Sequence, residues 1–197
     1  MSRAERLLLF TLALVGLVVG GLLIVYRLQE VSSSTRPILQ DTTAMEAYAI
    51  AEPVALQWAA DARLLNISAA WQPGLDFQTG EASWSLTFYS ADQSEMSLIS
   101  IIDKGATLTN SRTIEELYDP EDLEDWQVDS PHAISQLMST GGQEFMDYEG
   151  SADLTMRLNL DGQSTWKSTL INKDSRQTFS VRLNANSGEI IETLQSE

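Results

Sequence analysis

The sequence predicts an α+β fold in which an N-terminal transmembrane helix precedes two copies of a small unit, each with one helix and a three-stranded antiparallel sheet. Three observations lead to this prediction: a long uncharged apolar segment, the same order of helix-like and strand-like patterns in two later segments, and a repeated spacing. The spacing is seen in GEASWSLTF (80–88) and GQSTWKSTL (162–170), where Trp84 and Trp166 each follow a glycine by four residues.

The apolar segment is LLLFTLALVGLVVGGLLIVY, residues 7–26, which contains no charged side chain. At 1.5 Å per residue, a helix of this length crosses a hydrocarbon core of about 30 Å. The alternative, a cleaved signal peptide, has a shorter apolar core and a small-x-small cleavage site. The segment therefore predicts a signal anchor, with residues 1–6 as a cytoplasmic tail and the C-terminal domain outside the cell membrane.

A serine-rich linker, residues 27–42, is predicted to separate the anchor from the first unit, residues 43–110. The unit begins with a helical pattern to about Ala62, and Pro53 predicts a kink or a fresh start inside it. Strand-like runs follow at 64–71, 83–89 and 95–102. The second run alternates apolar and polar residues, which is typical of a half-buried strand.

The second unit, residues 129–197, repeats this order. Its helix is predicted to start with Asp129 or Ser130 as the N-cap and to stop at the glycine pair 141–142. Its strand-like runs are 154–160, 164–171 and 178–183.

Two pairs of residues, with one member of each pair in each unit, are predicted to be structurally equivalent. Trp84 and Trp166 are expected to seal a helix against a sheet, because a three-stranded sheet covers little core alone. Gly105 and Gly188, 83 positions apart, are expected to serve the closing turn of each unit.

The C-terminal segment VRLNANSGEII, residues 181–191, resembles the closing motif of PepSY domains. That motif reads hydrophobic-x-hydrophobic-Asp-Ala-x-Thr-Gly-Glu-hydrophobic, and here Asn184 and Ser187 stand for its Asp and Thr. The resemblance covers about 129–193, and more weakly 43–109. It implies small units of one helix on an antiparallel sheet, of the kind found in bacterial envelope proteins and peptidase propeptides. It also implies inhibition or regulation of peptidases, with no catalytic residues to carry over.

Composition narrows the possible functions. The net charge of −16 disfavours nucleic acid as a partner, because a surface of this sign repels phosphates. The absence of cysteine excludes disulfides and Cys-based metal sites, and the single histidine, His132, excludes a two-His zinc site within one chain. No catalytic residue, metal site or cofactor is therefore predicted, and an enzyme using carboxylates alone is the weakest alternative.

Eight acidic residues crowd positions 115–129, around a predicted connector at 111–128. Clustered carboxylates suit calcium, and the weak candidate ligands are Asp119, Glu121, Asp122 and Asp125. The EF-hand spacing and its central glycine are missing, so a solvated connector is the favoured interpretation.

The predicted function is a non-enzymatic, membrane-anchored, extracytoplasmic binding module. An open sheet edge can accept an extended peptide strand, and an acidic surface attracts a basic partner, which suits a peptidase or its substrate. Trp71 and Trp126, beside loops, are predicted as exposed partner contacts. The alternative is a structural spacer or a subunit of an envelope assembly.

Overall fold

The described residues of the computed structural model form one eight-stranded antiparallel sheet with helices on one face. The structure describes residues 42–71, 82–102, 104–116, 118–120, 123–150 and 152–196. The first half contains helix α1 (Ala44–Trp58) and strands β1 (Arg63–Trp71), β2 (Ala82–Ser90), β3 (Glu95–Ile102) and β4 (Gly105–Thr113). The second half contains a 3-10 turn (Leu123–Asp125), helix α2 (Ser130–Leu137), a kinked segment (Met138–Gly142), helix α3 (Gln143–Glu149) and strands β5 (Asp153–Asn159), β6 (Thr165–Ile171), β7 (Thr178–Asn184) and β8 (Ile190–Gln195).

The strand order is β4-β3-β2-β1-β5-β6-β7-β8, so each half is a four-stranded meander and the halves join where β1 pairs with β5. Equivalent positions can be counted outward from Trp84 and Trp166. By this count Ser68 of β1 corresponds to Arg157 of β5, and these two residues pair directly with each other. An approximate twofold axis between them therefore relates the two halves.

One core runs under both halves. Helix α1 packs over β2, β3 and β4, and the helical segment of the second half packs over β6 and β7. Alternate strand residues point to this face and are buried in a single cluster, for example Leu86 and Ile99 from one half and Leu158 and Val181 from the other. The two halves are therefore not independent units.

Helix α1 is defined by a capping box and a stripe of small residues. The Thr43 hydroxyl accepts from the Glu46 N–H at 3.3 Å, and the Glu46 carboxylate accepts from the Thr43 N–H at 3.0 Å. The stripe is buried and consists of Ala44, Ala47, Ala51 and Ala55. Pro53 faces solvent inside one uninterrupted helix, so the predicted fresh start did not occur.

The first turns of α1 and α2 meet through Asp129 and Ser130. The Asp129 carboxylate accepts from the Ser130 N–H at 2.7 Å and from the Met45 N–H at 3.2 Å. The Ser130 hydroxyl accepts from the Ala44 N–H at 3.0 Å. One carboxylate therefore caps both helix N-termini, where the helix dipoles also favour a negative charge.

The predicted arrangement of two helix-plus-three-strand units is wrong. Each half has a fourth strand, β4 or β8, and the two meanders share one sheet. Both additional strands lie at sheet edges and are exposed along almost their whole length, so neither has the alternating pattern that reveals a half-buried strand.

The predicted transmembrane helix and single-pass membrane attachment are corrected as well. In the part of the chain that the structure describes, no helix is long and apolar enough to cross a bilayer. Helix α1 has fifteen residues, which reach about 22 Å, and it carries Glu46 and Glu52. Residues 7–26 themselves lie outside the described residues.

The glycine pair 141–142 interrupts the second helix, as predicted, because Gly141 leaves the helical conformation and kinks the chain. A further helix, α3, which the sequence did not predict, follows directly after this kink. Gly141 has φ of 132°, and a Cβ there would lie 3.0 Å from the ring of Phe179. Glycine therefore lets the helical segment turn while it stays in contact with the sheet.

Candidate binding site

Trp84 and Trp166 lie in matching surroundings between helix and sheet. They are 1% and 0% exposed. The Trp84 Nε1–H donates to the carbonyl of Thr42, and the Trp166 Nε1–H donates to the carbonyl of Val128, both at 2.7 Å. Each acceptor directly precedes the N-cap residue of the helix in its own half. The two indoles therefore fix where each helix begins on the sheet.

Trp71 and Trp126 are not the exposed contacts that the sequence predicts. They are 3% and 5% exposed, because the end of β1 and the connector both fold onto the helix-covered face. Trp126 packs edge-to-face on Trp166 and donates to the Val128 carbonyl at 2.8 Å. Trp71 packs edge-to-face on Trp84, and its indole N–H has no hydrogen-bond partner in the described part of the chain.

Gly105 and Gly188 occupy closing turns of different shape. Gly105 pairs with Ile102 at the first position of β4, and the positive φ of that turn, 61°, falls on Lys104. Gly188 itself has φ of 76°, and a Cβ there would lie 3.1 Å from Nε2 of His132. The two glycines therefore do not have the same geometric role.

The segment that resembles the PepSY motif builds the turn between β7 and β8. The Asn184 side-chain oxygen accepts from the N–H groups of Asn186 and Ser187, at 2.8 and 2.9 Å. The Ala185 carbonyl accepts from the N–H groups of Gln127 and Val128. Asparagine in place of aspartate keeps the acceptor oxygen that this turn needs.

The weak calcium candidates do not assemble into a site where they are described. Asp119 lies 3.6 Å from the guanidinium of Arg63, and Asp125 is exposed in the 3-10 turn. Glu121 and Asp122 lie outside the described residues. Among the residues that the structure does describe, no group of three or more His, Asp or Glu side chains could hold a metal ion.

The two edge strands of the sheet differ in how well they are protected from an added strand. Strand β4 runs close to α1 but keeps its side chains exposed, is interrupted in mid-strand by a bulge opposite Leu98 and Ile99, and carries Arg112. Strand β8 has its bulge at the start, so that Glu192–Gln195 pair regularly with β7. Its apolar side chains Ile190, Ile191 and Leu194 are 44%, 39% and 52% exposed. Bulges and cations protect sheet edges from added strands, and β8 has the weaker protection.

A groove of about 540 Å³ lies beside β8, between the end of the helical segment and the sheet. Phe145 and Phe179 stack in its floor with ring centroids 6.1 Å apart. Glu144, Asp147 and Tyr148 line its rim, and Tyr148 is 87% exposed. The groove therefore combines two carboxylates with an exposed aromatic ring, which suits a cationic side chain.

The sequence prediction missed this groove because it placed no helix between the glycine pair and β5. The residues that line the rim lie in α3, just beyond the glycine pair. A signal was present in QEFMDYE, which contains Phe145 and Met146 among polar residues and is compatible with one further helical turn or two.

Comparison with known proteins shows the fold alone. No family model and no curated protein sequence matches the chain. The fold is similar to the crystal structure of a "putative lipoprotein" from Clostridium difficile 630, with a TM-score of 0.54 and 10% sequence identity. The match covers 81% of this chain and 97% of that chain.

Proposed function

We propose that this chain is a non-enzymatic binding module of the cell envelope that holds an extended, basic segment of a partner protein along β8. The observation that carries the proposal is the exposed edge of β8 beside an acidic, aromatic groove. The PepSY resemblance of residues 181–191 supports a peptidase, or a substrate of one, as the partner. The lipoprotein description of the structural neighbour supports an envelope location.

Backbone hydrogen bonds along β8 supply the first part of the interaction. The Ser196 N–H donates to the Thr178 carbonyl, and alternate residues of an antiparallel strand direct their N–H groups to the same side. The N–H groups of Thr193 and Gln195 therefore point away from β7. An added strand would pair with these groups, as in other complexes formed by strand addition.

The groove supplies the second part, which is selectivity. A Lys or Arg side chain of the added strand can reach Glu144 and Asp147 while its charged group lies over the ring of Tyr148. The Asp147 carboxylate also accepts from the Gln143 side chain at 2.8 Å, which holds it at the rim. An acidic side chain at the same place would meet two like charges, so the groove selects against acidic segments.

A charge-reversal experiment tests the proposal. The probe is a labelled peptide of alternating Val and Thr with one central Lys, compared with the same peptide carrying Glu. The full chain is expected to bind the Lys peptide more tightly. Exchange of both rim carboxylates, Glu144→Lys with Asp147→Lys, is expected to reverse the preference, measured by fluorescence anisotropy.

Two further variants make the outcome decisive. Thr193→Pro removes an outward N–H and should weaken binding of either peptide, provided that its thermal unfolding shows a folded protein. Asp174→Lys, in the turn between β6 and β7, changes a charge away from the groove and should leave the preference unchanged. Equal affinity for the two peptides in every variant would overturn the proposal.

A further inference from the structure

The sheet face opposite the helices carries a row of side chains that crosses all eight strands. The residues of this cross-strand row pair directly from strand to strand, and they are Thr107, Ser100, Ser85, Ser68, Arg157, Lys167, Arg182 and Glu192. The first four carry hydroxyl groups and the last four are charged. The row lies on the open face, because the strand neighbours of Lys167, for example, are the buried Trp166 and Ser168.

Three cations occupy consecutive positions of the row. Arg157, Lys167 and Arg182 are all exposed and lie on neighbouring strands, which are about 4.8 Å apart. Arg182 forms an ion pair with Glu192 at 3.4 Å, and no described acidic residue forms an ion pair with Arg157 or Lys167. Like charges placed directly opposite each other destabilise a sheet. This arrangement therefore works against folding.

The twofold relation shows that the fold does not need these cations. The equivalent positions in the first half are Ser68, Ser85 and Ser100, which build the same part of the sheet with small hydroxyl side chains. The cross-strand row therefore contains two kinds of hydrogen-bond donors, one kind in each half of the sheet. One half presents strong cationic donors, and the other presents groups that both donate and accept hydrogen bonds.

We propose that the cross-strand row binds an acidic polysaccharide that lies along it, across the strands. Carboxylates of the polymer contact Arg157, Lys167 and Arg182, and its hydroxyl groups exchange hydrogen bonds with the serine half of the row. Guanidinium and ammonium groups bind carboxylates through charge-assisted hydrogen bonds, which supply most of the affinity.

The spacing and charge of the row favour this ligand over other polyanions. Donors recur at the strand spacing of about 4.8 Å, whereas an extended acidic peptide places side chains on one side about 6.6 Å apart. The strand spacing is close to the length of one pyranose ring in a chain. The net charge of −16 repels a wide anionic surface such as a membrane or a nucleic acid duplex, whereas a single polysaccharide chain contacts only the row, where the local charge is positive.

Calorimetric titration of the full chain at low ionic strength tests the proposal. The probe is a short galacturonate oligomer, and the comparison ligands are a neutral glucose oligomer of the same length, polyglutamate and tripolyphosphate. The galacturonate oligomer is expected to bind most tightly. Lys167→Ser, which copies the residue at the equivalent position of the first half, is expected to weaken its binding about five-fold.

A matched variant separates the row from general charge effects. Lys173→Ser makes the same change in the turn between β6 and β7, where Lys173 pairs with Asp153 at 2.7 Å. It should leave galacturonate binding unchanged. No binding of galacturonate, equal loss in both variants, or tighter binding of tripolyphosphate or polyglutamate would each overturn the proposal. Peptide binding at β8 is measured separately, so either proposal can fail alone.

Discussion

The two halves are alike in their interiors and differ at their surfaces. In both, a buried indole donates to the carbonyl that precedes a helix N-cap, and a helix covers the same face of a four-stranded meander. They differ at the edge strand, which a mid-strand bulge interrupts in the first half only, and along the cross-strand row, where serines correspond to cations. Positions that the fold requires are therefore alike, and positions that differ are those free to acquire a binding role.

The largest expected effect tests whether the interiors of the two halves are built alike. Trp84→Ala and Trp166→Ala should each lower the free energy of unfolding by about 3–5 kcal/mol, because each removes a fully buried ring. Urea unfolding of both variants measures this. Trp58→Ala, at a half-buried position, should cost less. A loss of stability in one of these two variants but not in the other would show that Trp84 and Trp166 are not equivalent.

The next effect concerns the junction between the helices. Asp129→Ala should cost about 2 kcal/mol, because its carboxylate accepts from N–H groups of both helices. Thr43→Ala, which removes a cap from α1 alone, should cost about 1 kcal/mol. Asp129→Asn keeps an acceptor oxygen and should recover part of the loss. Equal costs for the two alanine variants in thermal unfolding would contradict the shared cap.

A smaller effect sharpens the comparison along the cross-strand row. Lys167→Ser should raise the free energy of unfolding by about 0.2–1 kcal/mol at low salt, since it separates two neighbouring cations. The reciprocal change Ser85→Lys places a cation between two serines and should have little effect. Added salt should reduce the gain from Lys167→Ser. A loss of stability in that variant would show that the cations support the sheet.

The smallest effect compares equivalent turns, β2 to β3 and β6 to β7. In the first, the Asp61 carboxylate accepts from the Asp92 N–H and the Ser90 hydroxyl, and these hydrogen bonds hold the pKa of Asp61 below its usual value. In the second, the neutral side chain of Asn172 accepts from the N–H groups of the turn.

A lowered pKa in the folded state means that the Asp61 contribution to stability is present above its unfolded pKa of 3.8 and is lost as the pH falls through the folded pKa. Asp61→Asn should therefore be less stable than the unchanged chain at pH 7. The difference should disappear in acid, as followed by urea unfolding at several pH values. A stability difference that persisted in acid would show that the ionised carboxylate of Asp61 is not its cause.

How much the sequence reveals depends on whether a residue has a buried side. The run 95–102 predicts β3 with both ends correct, because it is dense in apolar residues, of which Met96, Ile99 and Ile101 are buried. Strand β4, with the sequence GATLTNSRT, is exposed along almost all of its length and has no such run of apolar residues. The apolar pattern of a sequence reports only burial, so it does not reveal a strand that is exposed on both faces.

The candidate surfaces were harder still to predict. Arg157, Lys167 and Arg182 are separated by at least ten residues, and only the register of three strands aligns them. The acidic rim of the groove depends on a further helix, α3, which begins directly after the kink at Gly141, where only a glycine fits beside the ring of Phe179. Both features arise from tertiary packing, which a single sequence does not display.

Amide hydrogen exchange with and without the Lys-containing peptide most directly tests the proposal that a peptide binds at β8 and not at the other sheet edge. Binding at β8 should slow exchange at Thr193 and Gln195, whose N–H groups point away from β7, and should leave exchange along β4 unchanged. Protection of β4, or of neither edge at peptide concentrations that saturate the anisotropy signal, would contradict it.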